Sequence, residues 1–137
     1  AAPIKEILDN TFKECSSLDF LILPASLKSI GESSFKCCYS LNVVYIPPLV
    51  HLINSFAFYL CHNLRNIVFE SPSSLEIIRL CAFAGCYSLD QIWLPHSLKI
   101  IEKRAFGRCS SLKVAIPNGL KDIRWGAFEG CNKCWRY

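Results

Sequence analysis

The 137-residue sequence predicts an α/β repeat architecture, a solenoid in which each turn of about 23 residues contributes short parallel strands and one brief helical or 3-10 turn. Two observations lead to this prediction. A cysteine recurs at spacings of 23, 23, 25, 23 and 22 residues, and the same apolar frame surrounds each copy. A period between roughly 20 and 50 residues is typical of solenoids, whose units bury a shared core by stacking. The recurring cysteines are Cys15, Cys38, Cys61, Cys86, Cys109 and Cys131.

The apolar frame around each cysteine is Ile-x4-Phe-x2-Cys, and all six copies keep it. The isoleucines are Ile7, Ile30, Ile53, Ile78, Ile101 and Ile123, and the phenylalanines are Phe12, Phe35, Phe58, Phe83, Phe106 and Phe128. Stacked turns place equivalent residues about 4.8 Å apart. The sequence therefore predicts internal ladders of isoleucine, phenylalanine and cysteine.

The segment after each of the first five cysteines is predicted to be a short strand, because its apolar residues alternate. The inward-facing pairs are Leu21/Leu23, Val44/Ile46, Ile67/Phe69, Ile92/Leu94 and Val114/Ile116. In four of the five, a proline then ends the strand, since it has no N–H to donate to a ladder.

The rest of each repeat is predicted from two shorter patterns. A second apolar pair, such as Leu98 and Ile101, predicts a shorter strand or an extended turn. The stretch from phenylalanine to cysteine is too short for a regular helix and is predicted to form one helical or 3-10 turn. A two-residue insertion within residues 70–74 is the main irregularity, and no linker separates the copies. We therefore expect a single domain over residues 1–137, with five full repeats and a truncated sixth.

One family shares this pattern. The motif Leu-x-x-Ile-x-Leu-Pro-x-Ser-Leu-x-x-Ile-x4-Phe-x2-Cys, clearest at residues 89–109, resembles the BspA-like leucine-rich repeat of surface proteins from mucosal bacteria and parasitic protists. The resemblance extends over residues 7–134. It implies a right-handed, curved leucine-rich-repeat solenoid, a role in adhesion to host or matrix proteins, and a cell-surface or secreted location.

The cysteines are predicted to serve packing. Stacked equivalent residues have parallel Cβ vectors, which do not suit a disulfide, so we expect reduced thiols along the ladder. Cys37, Cys81 and Cys134 fall outside the ladder; Cys134 takes the place of a leucine and is expected in the core, and the sequence assigns none of the three a role. Cys131-Asn-Lys-Cys134 has the spacing of half a zinc site or a redox pair, but Cys37-Cys38 lies four repeats away. We expect no metal and no cofactor.

The sequence does not favour an enzyme. Cys61 beside His62 pairs a nucleophile with a base, but adjacent side chains diverge and Cys61 belongs to the ladder. No recurring carboxylate pair, phosphate-binding glycine loop or nucleophile elbow is present. Solvated turns and ordinary packing account for these residues.

The outward-facing strand positions carry the functional prediction. A solvated strand face is rich in Lys, Glu, Thr and Asn, whereas an exposed apolar stripe marks an interaction site. The ten positions are Phe20, Ile22, Val43, Tyr45, Asn66, Val68, Gln91, Trp93, Lys113 and Ala115. The predicted partner-binding residues are the aromatic or β-branched ones, with Tyr45 and Trp93 as anchors: Phe20, Ile22, Val43, Tyr45, Val68 and Trp93.

The expected partner is a protein, and the resemblance points to an extracellular-matrix or host-surface glycoprotein. Alternatives are a homodimer, a self-associating structural or intracellular scaffold, or no role for the stripe beyond strand propensity. With 52% hydrophobic and 19% charged residues, the chain is not a disordered nucleic-acid-binding arm, and no apolar run approaches the roughly 18 residues of a membrane span.

Charge is uneven along the chain. Residues 98–137 carry nine basic side chains against three acidic ones, whereas residues 1–97 carry six against eight. Two interpretations remain open for this basic end: a solvated edge, or a rim that steers acidic partners. The residues concerned are Lys99, Lys103, Arg104, Arg108 and Arg124.

Overall fold

The computed structural model describes residues 2–137, which form twelve short strands and no helix. The strands are β1 Glu6–Ile7, β2 Phe20–Leu21, β3 Ser29–Ile30, β4 Val43–Ile46, β5 Leu52–Ile53, β6 Asn66–Phe69, β7 Ile77–Ile78, β8 Gln91–Trp93, β9 Ile100–Ile101, β10 Lys113–Ile116, β11 Asp122–Ile123 and β12 Lys133–Arg136. Together they make a right-handed parallel β-solenoid of about six turns.

Two sides of the solenoid are built from strands. The odd-numbered strands form one six-stranded parallel sheet in the order β1-β3-β5-β7-β9-β11. The even-numbered strands form two three-stranded sheets, β2-β4-β6 and β8-β10-β12. In the first sheet Ile7 pairs with Ile30, Ile30 with Ile53, and the register continues to Ile123. The second apolar pair of each repeat therefore marks a true, two-residue strand.

The phenylalanines stack along the axis of the solenoid. Successive rings from Phe12 to Phe128 lie 5.1–5.5 Å apart between centroids, at interplanar angles of 2–14°. The four central rings are fully buried. Each aromatic pair adds about 0.5–1.5 kcal/mol beyond the burial of its area, so the stack is a main source of cohesion between turns.

The predicted helical or 3-10 turn is wrong for this part of the chain. A backbone with positive φ occurs two residues before and two residues after every ladder phenylalanine, as at Ser33 (φ 55°) and Cys37 (φ 60°) around Phe35. Two left-handed residues only four positions apart interrupt any helix in each repeat. Backbone N–H groups in this segment instead donate alternately within the turn and to the next turn. Those of Lys36 and Cys38 donate to the carbonyls three residues earlier, while that of Phe35 donates to the carbonyl of Ala57 in the next turn at 2.8 Å.

The recurring cysteines lie beside this stack and are reduced. From Cys38 onward each thiol is placed to donate to the carbonyl of a phenylalanine one turn earlier; Cys61 Sγ lies 3.1 Å from Phe35 O. Burial raises the pKa of the Cys38 thiol to about 11 and that of Cys61 further still. The thiols of Cys38 and Cys61 therefore stay neutral at physiological pH.

Cys134 is exposed, so its predicted place in the core is wrong. The last strand starts sooner after its cysteine than the others do, and Cys134 therefore pairs in register with Val114 and not with a leucine. Val114 is buried by the turns on both sides, whereas β12 is the final strand of its sheet.

Candidate functional site

The predicted partner-binding residues lie on the face made by β2, β4, β6, β8 and β10, here called the strand-lined face. Their inward neighbours Val44, Ile67 and Ile92 are buried, which fixes the outward direction of the residues between them. Tyr45 is 51% exposed and Trp93 53% exposed. Large aromatic side chains on an ordered strand surface meet solvent with little conformational entropy to lose on binding.

Four of the six residues gather around one depression. Val43, Tyr45, Val68 and Trp93 line a shallow groove of about 330 Å³ together with polar side chains of β6 and β8. Tyr45 pairs in register with Val68, and Trp93 lies on the next strand beyond it. The groove is thus lined by apolar and aromatic residues together with two hydrogen-bonding groups, Asn66 and Gln91.

Phe20 and Ile22 extend the apolar stripe without lining the groove. Phe20 pairs in register with Val43, which places it one strand away. Ile22 lies just past the end of β2 and is the most exposed large apolar residue, at 85%. The six predicted residues therefore form one stripe with two parts: a groove and an open extension.

The groove lies where the strand-lined face is interrupted. Strands β6 and β8 do not pair, and the two-residue insertion lies between them at residues 70–74. Glu70 N donates to Ile46 O and Ser74 N to Pro48 O, so the inserted segment is held against the preceding turn. The insertion thus lies in the turn where one three-stranded sheet ends and the other begins.

The C-terminal aromatic residues pack against Trp93, and the sequence did not predict this contact. Trp93 packs edge-on against Trp135 at 5.9 Å and Tyr137 at 5.0 Å between ring centroids. Tyr137 also lies 4.8 Å from His96 and donates from its hydroxyl to Leu94 O.

One outward-facing residue proves to be buried. Ala115 was expected on the exposed face, yet it is fully covered. It pairs in register with Trp93 on one side and Trp135 on the other, and a small side chain between two indoles is hidden by them. The exposed stripe therefore ends at Trp93.

The candidate catalytic pair does not form. Cys61 points into the core, whereas His62 stacks between Tyr39 at 4.9 Å and Tyr87 at 5.0 Å on the surface. The raised pKa of the buried Cys61 thiol keeps it protonated and weakly nucleophilic. Within residues 2–137, no three His, Cys, Asp or Glu side chains cluster as a metal site requires.

The residues of the basic end have different partners. Lys99 pairs with Glu76, and Arg124 pairs with Asp122, whose pKa is lowered by that hydrogen bond. Lys103 and Arg104 lie over the exposed ring of Trp125, at 5.1 and 4.7 Å from its centroid. The described residues include no helix long and apolar enough to cross a membrane.

The fold and the repeat define a leucine-rich-repeat solenoid. Six consecutive copies of the BspA type leucine rich repeat region match residues 5–134, and the chain belongs to this family. No curated protein sequence matches the chain.

Solved bacterial structures share the architecture. The chain is 35% identical to the leucine-rich repeat protein of T. pallidum, with a TM-score of 0.90 over 96% of this chain and 63% of that one. It is also 35% identical to a leucine-rich repeat protein from Bacteroides ovatus, with a TM-score of 0.86 over 94% of this chain. A leucine rich cell surface protein from Faecalibacterium prausnitzii is 30% identical, with a TM-score of 0.77 over 86% of this chain. The chain spans 33% and 32% of the length of the last two.

Proposed function

We propose that residues 1–137 form one non-enzymatic domain that binds a protein partner through the strand-lined face, as part of an adhesin-like cell-surface or secreted protein. Membership of the BspA-type repeat family supports a protein-interaction module. A structural neighbour described as a cell surface protein supports the location. The adhesin role and a host or matrix glycoprotein as partner are our inference.

The observation that carries the proposal is the apolar stripe around the 330 Å³ groove. Tyr45 and Trp93 are half-exposed on neighbouring sheets and face the same depression, with Val68 between them. Interfaces gain most of their affinity from a few aromatic side chains that a partner desolvates completely. Asn66 and Gln91 supply the polar groups that give such a contact its specificity.

The test is binding of the purified chain to immobilised fibronectin, a matrix glycoprotein, compared with a Tyr45→Ala/Trp93→Ala double variant. We expect saturable binding that the double variant loses by at least about tenfold, which corresponds to about 1.4 kcal/mol. Trp125→Ala is the matched control, because it removes a similarly exposed indole from another side of the solenoid.

Two results would contradict the proposal. Binding that the double variant retains would place the contact away from the strand-lined face. A dimer that dissociates only in the double variant would show that the stripe covers a second copy of the chain, which is the alternative of a self-associating scaffold. Native mass measured against concentration distinguishes these cases.

A further inference from the structure

A second groove lies on the turn edge, the surface formed by residues one or two positions away from each ladder phenylalanine. The position directly after the phenylalanine carries Lys13, Lys36, Tyr59, Ala84, Gly107 and Glu129 in successive turns. In the fourth and fifth turns this position therefore has only a methyl group or no side chain. There, a depression of about 450 Å³ opens, with Ala84, Gly85 and Gly107 among its lining residues.

The walls of this turn-edge groove differ in chemistry. Tyr59 and Leu60 line one end, and Leu60 lies so close over Gly85 that an added Cβ there would come within 2.5 Å of it. Arg104 and Arg108 line the other part. The groove thus combines an apolar end, a floor of small residues and two guanidinium groups.

The guanidinium groups have no acidic partner within residues 2–137. The ion pairs there join Lys99 to Glu76 and Arg124 to Asp122, and neither includes Arg104 or Arg108. Arg104 and Lys103 both make cation–π contacts with the Trp125 ring. Glu129 is the one carboxylate among the residues that line the groove. The basic side chains of Arg104 and Arg108 in the groove, with Lys103 beside them, give this surface an excess of positive charge.

We infer that the turn-edge groove is a binding site for an extended, acidic polypeptide segment of a partner protein. From Tyr59 in the third turn to Glu129 in the sixth, the groove crosses three turn-to-turn steps, or about 14 Å at about 4.8 Å each. An extended segment of four or five residues covers that length at about 3.3 Å per residue. Floor residues without long side chains let a backbone approach closely. Guanidinium groups bind carboxylates through two parallel hydrogen bonds, which matches Glu or Asp side chains on the segment.

This site is separate from the strand-lined face and does not depend on the proposed function. The two grooves share no lining residue. Residues from other turns indicate which substitutions the fold accepts here. The first turn has Asn10 and Glu14, both with positive φ, at the positions equivalent to Arg104 and Arg108. Arg104→Asn/Arg108→Glu therefore places residues where another turn already accommodates them.

The test measures binding of a fluorescent glutamate-rich octapeptide to the purified chain by anisotropy at about 20 mM salt, where charge interactions are weakly screened. We expect saturable binding that Arg104→Asn/Arg108→Glu weakens at least tenfold and that added salt reduces. Lys113→Glu/Lys121→Gln is the matched control: it changes net charge equally, at exposed basic residues outside the groove, and should weaken binding less than threefold. Tyr45→Ala/Trp93→Ala should leave binding unchanged.

A second variant tests the shape of the site without altering its charge. Ala84→Tyr introduces the residue that the third turn carries at the same position and fills the groove, so it should also weaken peptide binding at least tenfold. The inference is overturned if the wild-type chain does not bind the peptide, if the charge-matched control weakens binding as much as the arginine variant, or if Ala84→Tyr binds normally. Binding of heparin without binding of the peptide would also overturn it, in favour of an anionic polysaccharide.

Discussion

The internal ladders and the strand-lined face repeat with the same spacing, yet they tolerate very different sequence variation. Along the phenylalanine ladder every turn carries the same residue, and Phe58 is fully buried between two identical rings. On the strand-lined face, the outward residue changes from Tyr45 to Val68 and, in the second sheet, from Trp93 to Ala115. A close-packed interior fixes volume and shape, whereas a solvent-facing position does not. The variable face is therefore a part of the molecule on which binding specificity can differ between proteins of this fold.

The strongest test of this comparison is to remove one ring from the ladder. Phe58→Ala leaves a cavity between Phe35 and Phe83 and removes two stacked contacts. We expect the free energy of unfolding to fall by about 3–5 kcal/mol, measured by urea denaturation.

Trp93→Ala is the comparison variant from the strand-lined face. Trp93 is half-exposed, and its ring meets those of Trp135 and Tyr137 in edge-to-face contacts, so its removal should cost less than about 1.5 kcal/mol. If the two substitutions cost the same, the ladder does not dominate the cohesion of the solenoid.

The buried thiols predict a loss of stability in alkali. Burial raises the thiol pKa of Cys38 to about 11 and also raises that of Cys61, whereas the unfolded chain ionises at about 8.5–9. As pH rises, these thiols therefore lose their protons at a lower pH in the unfolded chain than in the folded chain. Stability contributed by these neutral thiols is fully present below about pH 8.5 and declines toward the folded-state pKa values. Urea midpoints measured between about pH 7 and pH 10.5 should fall steadily in the upper half of this range.

Cys61→Ala separates this effect from the titration of lysine and tyrosine. The variant should be less stable at neutral pH by about 1–2 kcal/mol, since a buried sulfur is lost, but its stability should decline less steeply in alkali. An equally steep decline in the variant and the wild-type chain would mean that the Cys61 thiol does not contribute to the pH dependence.

The periodic core could be predicted from the sequence because its buried positions recur from turn to turn, the isoleucine, phenylalanine and cysteine positions six times each. The Ile-x4-Phe-x2-Cys frame indicated stacked turns, and the alternation at Val44 and Ile46 indicated a strand with a definite inward face. The turn between phenylalanine and cysteine could not be predicted in the same way. Its left-handed positions carry residues as different as Phe56, Leu60 and Arg104, and only three glycines suggest the positive φ.

The candidate surface was predictable only in part. Exposed residues at Tyr45 and Trp93 follow from strand alternation. The groove between them lies where β6 and β8 do not pair, and Trp93 beside it packs against Trp135 and Tyr137. These arrangements join distant parts of the chain. The turn-edge groove likewise results from small residues aligned across several turns, and it becomes visible only when the register is known.

The smallest expected effect concerns the left-handed backbone that sequence reasoning missed. Arg108 is exposed and has a φ of 61°, where the equivalent residues Gly85 and Gly130 are glycines. Arg108→Gly removes a steric penalty of about 1–2 kcal/mol and adds an entropic cost of about 0.5–1 kcal/mol in the unfolded chain. We expect a net stabilisation of about 0.5 kcal/mol in urea denaturation. Lys121→Gly, at an exposed site without positive φ, should instead destabilise by about 0.5–1 kcal/mol. If both substitutions destabilise the chain equally, the left-handed residues flanking the phenylalanine ladder carry no strain that glycine relieves.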